Sequence, residues 1–179
     1  MAAVDQAVQA VQASGLSLGQ IFPILAFLVW IGVPAFAAFA RGRLYAAFAG
    51  VILSFALPGA LILHARLREL VSGDFQTALD VIFAYSMAAA GIQLAHLVRA
   101  KLRGRAFRWL VSVPGQTFFA CGMRAGPWLL LLLPFRLLLD AIGAEGLLGV
   151  WTWIEAFPLF IAVASIATSI STRPETVRF

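Results

Sequence analysis

Charged side chains are scarce in this sequence. Only 12% of its 179 residues are Asp, Glu, Lys or Arg, whereas 62% are hydrophobic. Soluble domains average about 25% charged and about 45–50% apolar residues, and so short a soluble chain could not bury this much apolar surface. The low charge therefore excludes an ordinary soluble domain and indicates a protein whose apolar side chains are solvated by lipid.

Cysteine and histidine are nearly absent as well. Cys121 is the one cysteine, which excludes an internal disulfide, and the two histidines, His64 and His96, are too few for bis-histidine haem ligation across a bundle. No Cys/His spacing typical of a zinc site occurs, and the common catalytic and phosphate-loop motifs are missing too. We therefore predict no catalytic, metal-binding or cofactor-binding residues. Enzyme activity is left open, with its absence favoured, and a bound lipid or pigment stays undetermined.

Long apolar runs fill the chain instead. A helix needs about 20 apolar residues to cross a bilayer, and the runs predict an all-α, polytopic transmembrane helical bundle of five or six membrane segments in a single domain, 1–179. The predicted spans are about 20–40, 44–65, 77–98, 109–122, 127–143 and 147–170. We expect an interfacial helix over 1–19 and a polar tail over 171–179.

Prolines are frequent in these runs and predict kinked helices, because each one removes a backbone N–H donor. They lie within or at the ends of the apolar segments, at Pro23, Pro34, Pro58, Pro114, Pro134 and Pro158.

Residues 109–143 are ambiguous, because they are too many for one straight span and barely enough for two. The sequence MRAGP at 123–127 is typical of a turn. We favour two short spans here; a re-entrant hairpin and one long broken helix are the alternatives. This stretch decides whether the chain has five or six segments and on which side its tail lies.

Basic residues lie between the apolar runs, as the positive-inside rule expects of cytoplasmic loops. This pattern argues against nucleic acid as a partner and places the N-terminus outside. The Ala/Arg-rich composition and the lack of a transit-like N-terminus make a bacterial inner membrane the expected location, with an organelle membrane as the alternative. The longest basic cluster is predicted to contact lipid headgroups, each contact being worth about 1 kcal/mol; it comprises Arg99, Lys101, Arg103, Arg105 and Arg108.

Ionisable residues inside a span are functional candidates by default, because a charge in the bilayer is costly. Arg136 and Asp140 are four residues apart, so they share a helix face and can pair. Glu155 can pair with Arg124 or Arg136 from the neighbouring segment. His64, at the end of the second span, is predicted to face headgroups.

Uncharged polar residues complete the candidate site. Gln93 and His96 share one face of the third span, and Gln116 can join Ser112 and Thr117 in a network of interhelical hydrogen bonds. The candidate intramembrane polar site is therefore Arg136, Asp140, Glu155, Gln93, His96 and Gln116.

Small residues four apart, Ala46, Gly50 and Ser54, predict close packing among the first three segments or docking of a partner protein. Three functions fit the sequence. The first is a small integral membrane subunit with a structural or accessory role in a larger complex. The second is a transporter or channel subunit using Arg136, Asp140 and Glu155, and the third is the membrane anchor of a longer protein with a soluble C-terminal domain.

Overall fold

The computed structural model describes residues 17–98 and 104–171, and in those ranges every regular element is a helix. Five stretches are long and apolar enough to cross a membrane, and the last of them joins two helices. The predicted fold class, a helical membrane bundle, is confirmed. The helices are α1 (Leu18–Arg41), α2 (Arg43–Leu70), α3 (Asp74–Val98), α4 (Arg105–Ala141, with a π-helical turn at Arg108–Ser112), α5 (Glu145–Glu155) and α6 (Phe157–Ser171).

Short links force the first three helices to run antiparallel. Gly42 alone separates α1 from α2, and its φ of 96° is one that glycine adopts without a Cβ clash. Three residues, 71–73, join α2 to α3, and Gly73 again has a positive φ of 60°. The stretch 66–76, which separates the predicted spans 44–65 and 77–98 and is expected to be a polar loop, is instead helical for most of its length, because α2 continues to Leu70 and α3 begins at Asp74.

Helices α1 and α4 lie on opposite sides of the α2–α3 pair and contact both. Helices α5 and α6 pack mainly along α4, on the outside of this four-helix unit. The tightest crossing joins α2 to α4. A Cβ added to Gly59 would lie 2.4 Å from the backbone nitrogen of Gly126, and one added to Gly122 would lie 2.5 Å from the carbonyl oxygen of Ala56.

Residues 109–143 form most of one continuous helix, α4, in place of the two short spans that we favoured. Gly122 and Gly126 do not make a turn; they let the backbone of α4 approach that of α2. The sequence signal was misread because glycine and proline also serve close packing in membrane helices. By length and apolarity the described residues therefore contain five candidate spans, the lower of the two numbers that the sequence allows.

Two prolines coincide with departures from regular α-helix, and in both places a neighbouring aromatic residue compensates. Pro158 has no N–H for the carbonyl of Ile154, one residue before the end of α5. The indole N–H of Trp128 donates to that carbonyl at 2.9 Å. Pro114 likewise has no N–H to donate to the carbonyl of Leu110 in the π-turn. The hydroxyl of Tyr85 donates to that carbonyl instead. Trp128 thus lies within α4, not at the start of a separate span over 127–143.

Several predictions fall outside the described residues: most of the interfacial helix over 1–19, the headgroup contacts of Arg99, Lys101 and Arg103, and the tail beyond Ser171. Arg105 and Arg108 are described. Both are exposed in the first turns of α4, at the end of the bundle where α1 and α3 finish.

The α2–α4 crossing predicts a large difference between two glycine substitutions. Gly59→Ala forces backbone against backbone and should lower the free energy of unfolding by about 1–3 kcal/mol. Gly32→Ala in α1, where a Cβ meets nothing within 4 Å, is the matched control and should leave stability unchanged or raise it. Reversible unfolding in mixed micelles measures both; equal effects would contradict the crossing.

Candidate functional site

Two clusters of charged side chains lie near the same end of the bundle, where α2 and α4 finish and where α1, α3 and α5 begin. We call them the His64 cluster (His64, Arg68 and Asp80) and the Arg136 cluster (Arg136, Glu155, Thr152, Glu69 and Arg66). Four of these side chains belong to residues buried below the surface of the bundle, namely His64, Asp80, Thr152 and Glu155. Helix α2 contributes to both clusters.

The His64 cluster joins α2 to α3. His64 Nε2 lies 2.8 Å from Asp80 Oδ1, and because a carboxylate only accepts hydrogen bonds, this nitrogen is the donor. Arg68, one turn further along α2, places its Nε 3.1 Å from Oδ1 and 3.2 Å from Oδ2 of the same carboxylate. Asp80 is 2% exposed, so these donors replace the water that its carboxylate loses on burial.

Aromatic rings from four helices converge at His64. The ring of Phe22 in α1 lies 4.6 Å from the imidazole and that of Phe83 in α3 lies 5.0 Å from it, centroid to centroid. Phe118 in α4 packs edge-on against both phenylalanines. Edge-to-face packing of this kind stabilises a core beyond the apolar area that it buries, so His64 belongs to the centre of the packed core.

The Arg136 cluster joins α2, α4 and α5 in a row of alternating charges. Arg136 donates to Glu155 Oε2 at 2.7 Å and to Thr152 Oγ1 at 3.4 Å. Its other terminal nitrogen lies 3.5 Å from Glu69 Oε2, and Glu69 in turn lies 3.6 Å from Arg66. Side-chain exposure is 3% at Glu155, 13% at Arg136 and 59% at Glu69, so the row leads from the interior of the bundle to its surface.

A groove of about 450 Å³ leads to the Arg136 cluster. One wall is a face of α2 from Ser54 to Arg66, and α4 forms the floor from Gly126 to Arg136. Glu155 of α5 closes the groove at the charged end, whereas apolar side chains dominate the rest of its lining. We call it the α2–α4 groove.

The structure separates the candidate residues that the sequence had grouped. Arg136 pairs with Glu155 and Glu69 in place of Asp140, which is exposed near the end of α4. The predicted contact between Glu155 and Arg136 is present. His64 does not face headgroups as predicted: it is 4% exposed and bonded to Asp80. The reason is that α2 extends beyond Ala65, so His64 lies inside the helix rather than at its end.

The uncharged candidates lie elsewhere in the bundle. Gln93 accepts a hydrogen bond from Ser112 at 2.8 Å, which ties α3 to the π-turn of α4. The predicted partner of Ser112, Gln116, is exposed, and the hydroxyl of Thr117 donates to the backbone carbonyl of Val113 one turn earlier in α4. His96 stacks edge-on with Phe107 at 5.1 Å.

The sequence interpretation missed Asp80, which is the most informative residue of the site. It is an isolated carboxylate four residues into a predicted span, and the general rule for ionisable groups in membranes would have singled it out. Arg68 and Glu69 were also missed, because they were assigned to a loop. Their spacing from His64 and Arg66, four and three residues, is the helical signal that identifies them.

Within the described ranges, no group of three or more His, Cys, Asp and Glu side chains is placed to hold a metal ion. The geometry instead shows acidic and basic groups pairing across helices. Comparison with protein-family models, curated proteins and solved structures gave no match.

The His64 cluster predicts that, of two carboxylates in α3, Asp80 stabilises the fold and Asp74 does not. Asp80→Asn weakens the bonds to His64 and Arg68 and should lower the free energy of unfolding by about 1–3 kcal/mol. Asp74→Asn, an exposed site in the first turn of the same helix, should change it by less than about 0.5 kcal/mol. Equal unfolding free energies for the two variants would rule out a stabilising role for the cluster.

Proposed function

We propose that this chain is a small integral membrane subunit with a structural or accessory role in a larger membrane protein complex. The observation that carries the proposal is that the buried charged side chains pair with each other across neighbouring helices. His64 and Asp80 face each other across α2 and α3, and Arg136 holds Glu155 across α4 and α5. Each pair fixes one helix against another.

Such pairing favours a fixed scaffold over a moving carrier. A transporter rocks one group of helices against another to open its site alternately to each side. Moving α5 away from α4 would separate Glu155 from Arg136 and leave a buried charge without its partner, at a cost of about 3–5 kcal/mol. The same holds for Asp80 if α3 leaves α2. The clusters therefore support one stable arrangement of helices.

The packing of the apolar part supports the same role. Backbones meet directly where Gly59 faces Gly126, and Gly115 packs on the carbonyl of Ala89. Because crowded backbones resist sliding, these crossings hold α4 in register with α2 and α3. A subunit with a fixed shape presents a constant apolar outer surface, which is what a neighbouring membrane subunit requires.

A transporter or channel subunit is the second candidate, and the α2–α4 groove is the observation that favours it. The groove reaches the Arg136–Glu155 pair from the apolar surface of the bundle, so a substrate in the groove would meet both charges. Asp140, which the sequence had added to this hypothesis, is not among the residues that line the groove.

The accessory role predicts a defined assembly. Extracted in a mild detergent, the tagged chain should migrate on native gels in a complex with other chains at fixed stoichiometry. Deleting the gene should reduce the amount or size of that same complex, as judged through a tag on another subunit. A monodisperse single chain or homo-oligomer that moves a substrate across liposomes would contradict the proposal.

Two substitutions separate the second candidate from the first. Glu155→Gln and Arg136→Ala remove the charges at the end of the groove, whereas Asp140→Asn changes an exposed carboxylate of α4 outside it. If the chain is an accessory subunit, liposomes that contain the wild type or any of the variants should show no more flux than liposomes without protein. Flux that the wild type supports, that Asp140→Asn retains and that the other two variants lose would favour transport.

A further inference from the structure

We propose that the α2–α4 groove is a binding site for one glycerophospholipid with an amine-bearing, zwitterionic headgroup. In this arrangement the phosphate lies between Arg66 and Arg136, the amine lies at Glu69, and one acyl chain follows the groove. The inference is independent of whether the chain belongs to a larger complex.

The first argument is the length and direction of the groove. Its wall on α2 runs from Ser54 to Arg66, and twelve helical rises of 1.5 Å make this about 18 Å. Half of the hydrocarbon layer is about 15 Å thick. An acyl chain anchored by its headgroup at Arg66 would therefore run along the groove to the middle of the bilayer and slightly beyond.

The second argument is the depth of the charged end. Helix α2 has 28 residues and is thus about 42 Å long, close to the full thickness of a bilayer with its headgroups. Arg66 lies four residues before the end of α2, which is about 6 Å from that end. This is the level at which the headgroup region meets the hydrocarbon, where a lipid phosphate resides.

The third argument is charge complementarity. The two arginines, Arg66 and Arg136, are balanced by two carboxylates, Glu69 and Glu155, so the cluster carries no net charge, like a zwitterionic lipid. Both arginines hold Glu69 only loosely, at 3.6 and 3.5 Å. A phosphate accepts well-aligned hydrogen bonds from guanidinium groups, and an ammonium would then pair with the exposed carboxylate of Glu69.

The charged end of the groove favours a lipid over a transmembrane helix of a partner protein. A lipid brings a phosphate to Arg66 and Arg136, whereas an apolar helix face would leave these charges without a matching group. An acyl chain is slender enough to enter. Its apolar contacts would be with side chains such as Phe55, Ile62 and Leu133, which line the groove.

Native mass spectrometry of the delipidated protein tests the assignment, with phosphatidylethanolamine, phosphatidylcholine and phosphatidylglycerol of identical chains titrated separately. Of the three, phosphatidylethanolamine should bind most tightly as the first lipid. Choline has no N–H to donate to Glu69, and phosphatidylglycerol would bring a net negative charge next to that carboxylate. Tighter binding of the glycerol lipid would overturn the zwitterionic assignment. Equal binding of all three would identify ordinary boundary lipid and overturn the site.

Substitutions test the contacts of the lipid headgroup and those of its acyl chain separately. Arg66→Gln should weaken the first bound ethanolamine lipid roughly tenfold or more, whereas Arg43→Gln, an exposed arginine at the opposite end of the same helix, should not change it. Glu69→Gln should shift the preference toward the glycerol lipid.

Leu130→Trp fills the groove from a side chain that is 70% exposed, so it should fold and lose the bound lipid. Unchanged binding by Leu130→Trp would overturn the groove as the chain site.

Discussion

A charge inside a bilayer needs a partner, and this constraint determines how the helices of the bundle meet. The last two turns of α2 carry His64, Arg66, Arg68 and Glu69. At helical spacing His64 and Arg68 share one face, whereas Arg66 and Glu69 lie toward the opposite one. One helix therefore pairs with Asp80 of α3 on one side and with Arg136 of α4 on the other.

The apolar part of the bundle obeys a different constraint, since lipid gives helices no hydrophobic reason to associate. Contact there depends on close approach at Gly59, Gly122 and Gly115. It also depends on hydrogen bonds that neighbouring helices supply where proline has removed a donor. Trp128 and Tyr85 provide those bonds for the carbonyls of Ile154 and Leu110. The charged end and the apolar part thus stabilise the same arrangement by separate means.

Much of the fold was predictable, because the length and apolarity of each run are local properties. The membrane class and the identity of the first three helices follow from them directly. The continuity of α4 was not predictable in this way, because the sequence MRAGP is typical of a turn. Only the close approach of Gly59 in α2 shows why α4 needs a glycine at position 126. Of the candidate site, the contact between Arg136 and Glu155 was among the expected ones. The burial of His64 was missed, because it depends on other helices: Phe22 and Phe83 lie against its ring, and Phe118 packs on both of them.

The central claim is that charges buried in this bundle are stable only as pairs across helices. A double-mutant cycle on Arg136 and Glu155 tests it most directly, with unfolding free energies measured for Arg136→Gln, Glu155→Gln and the double variant. We expect each single variant to be destabilised because it leaves a lone charge. The double variant should be more stable than the sum of the two predicts, with a coupling of about 1–3 kcal/mol. Additivity to within about 0.5 kcal/mol would contradict the account.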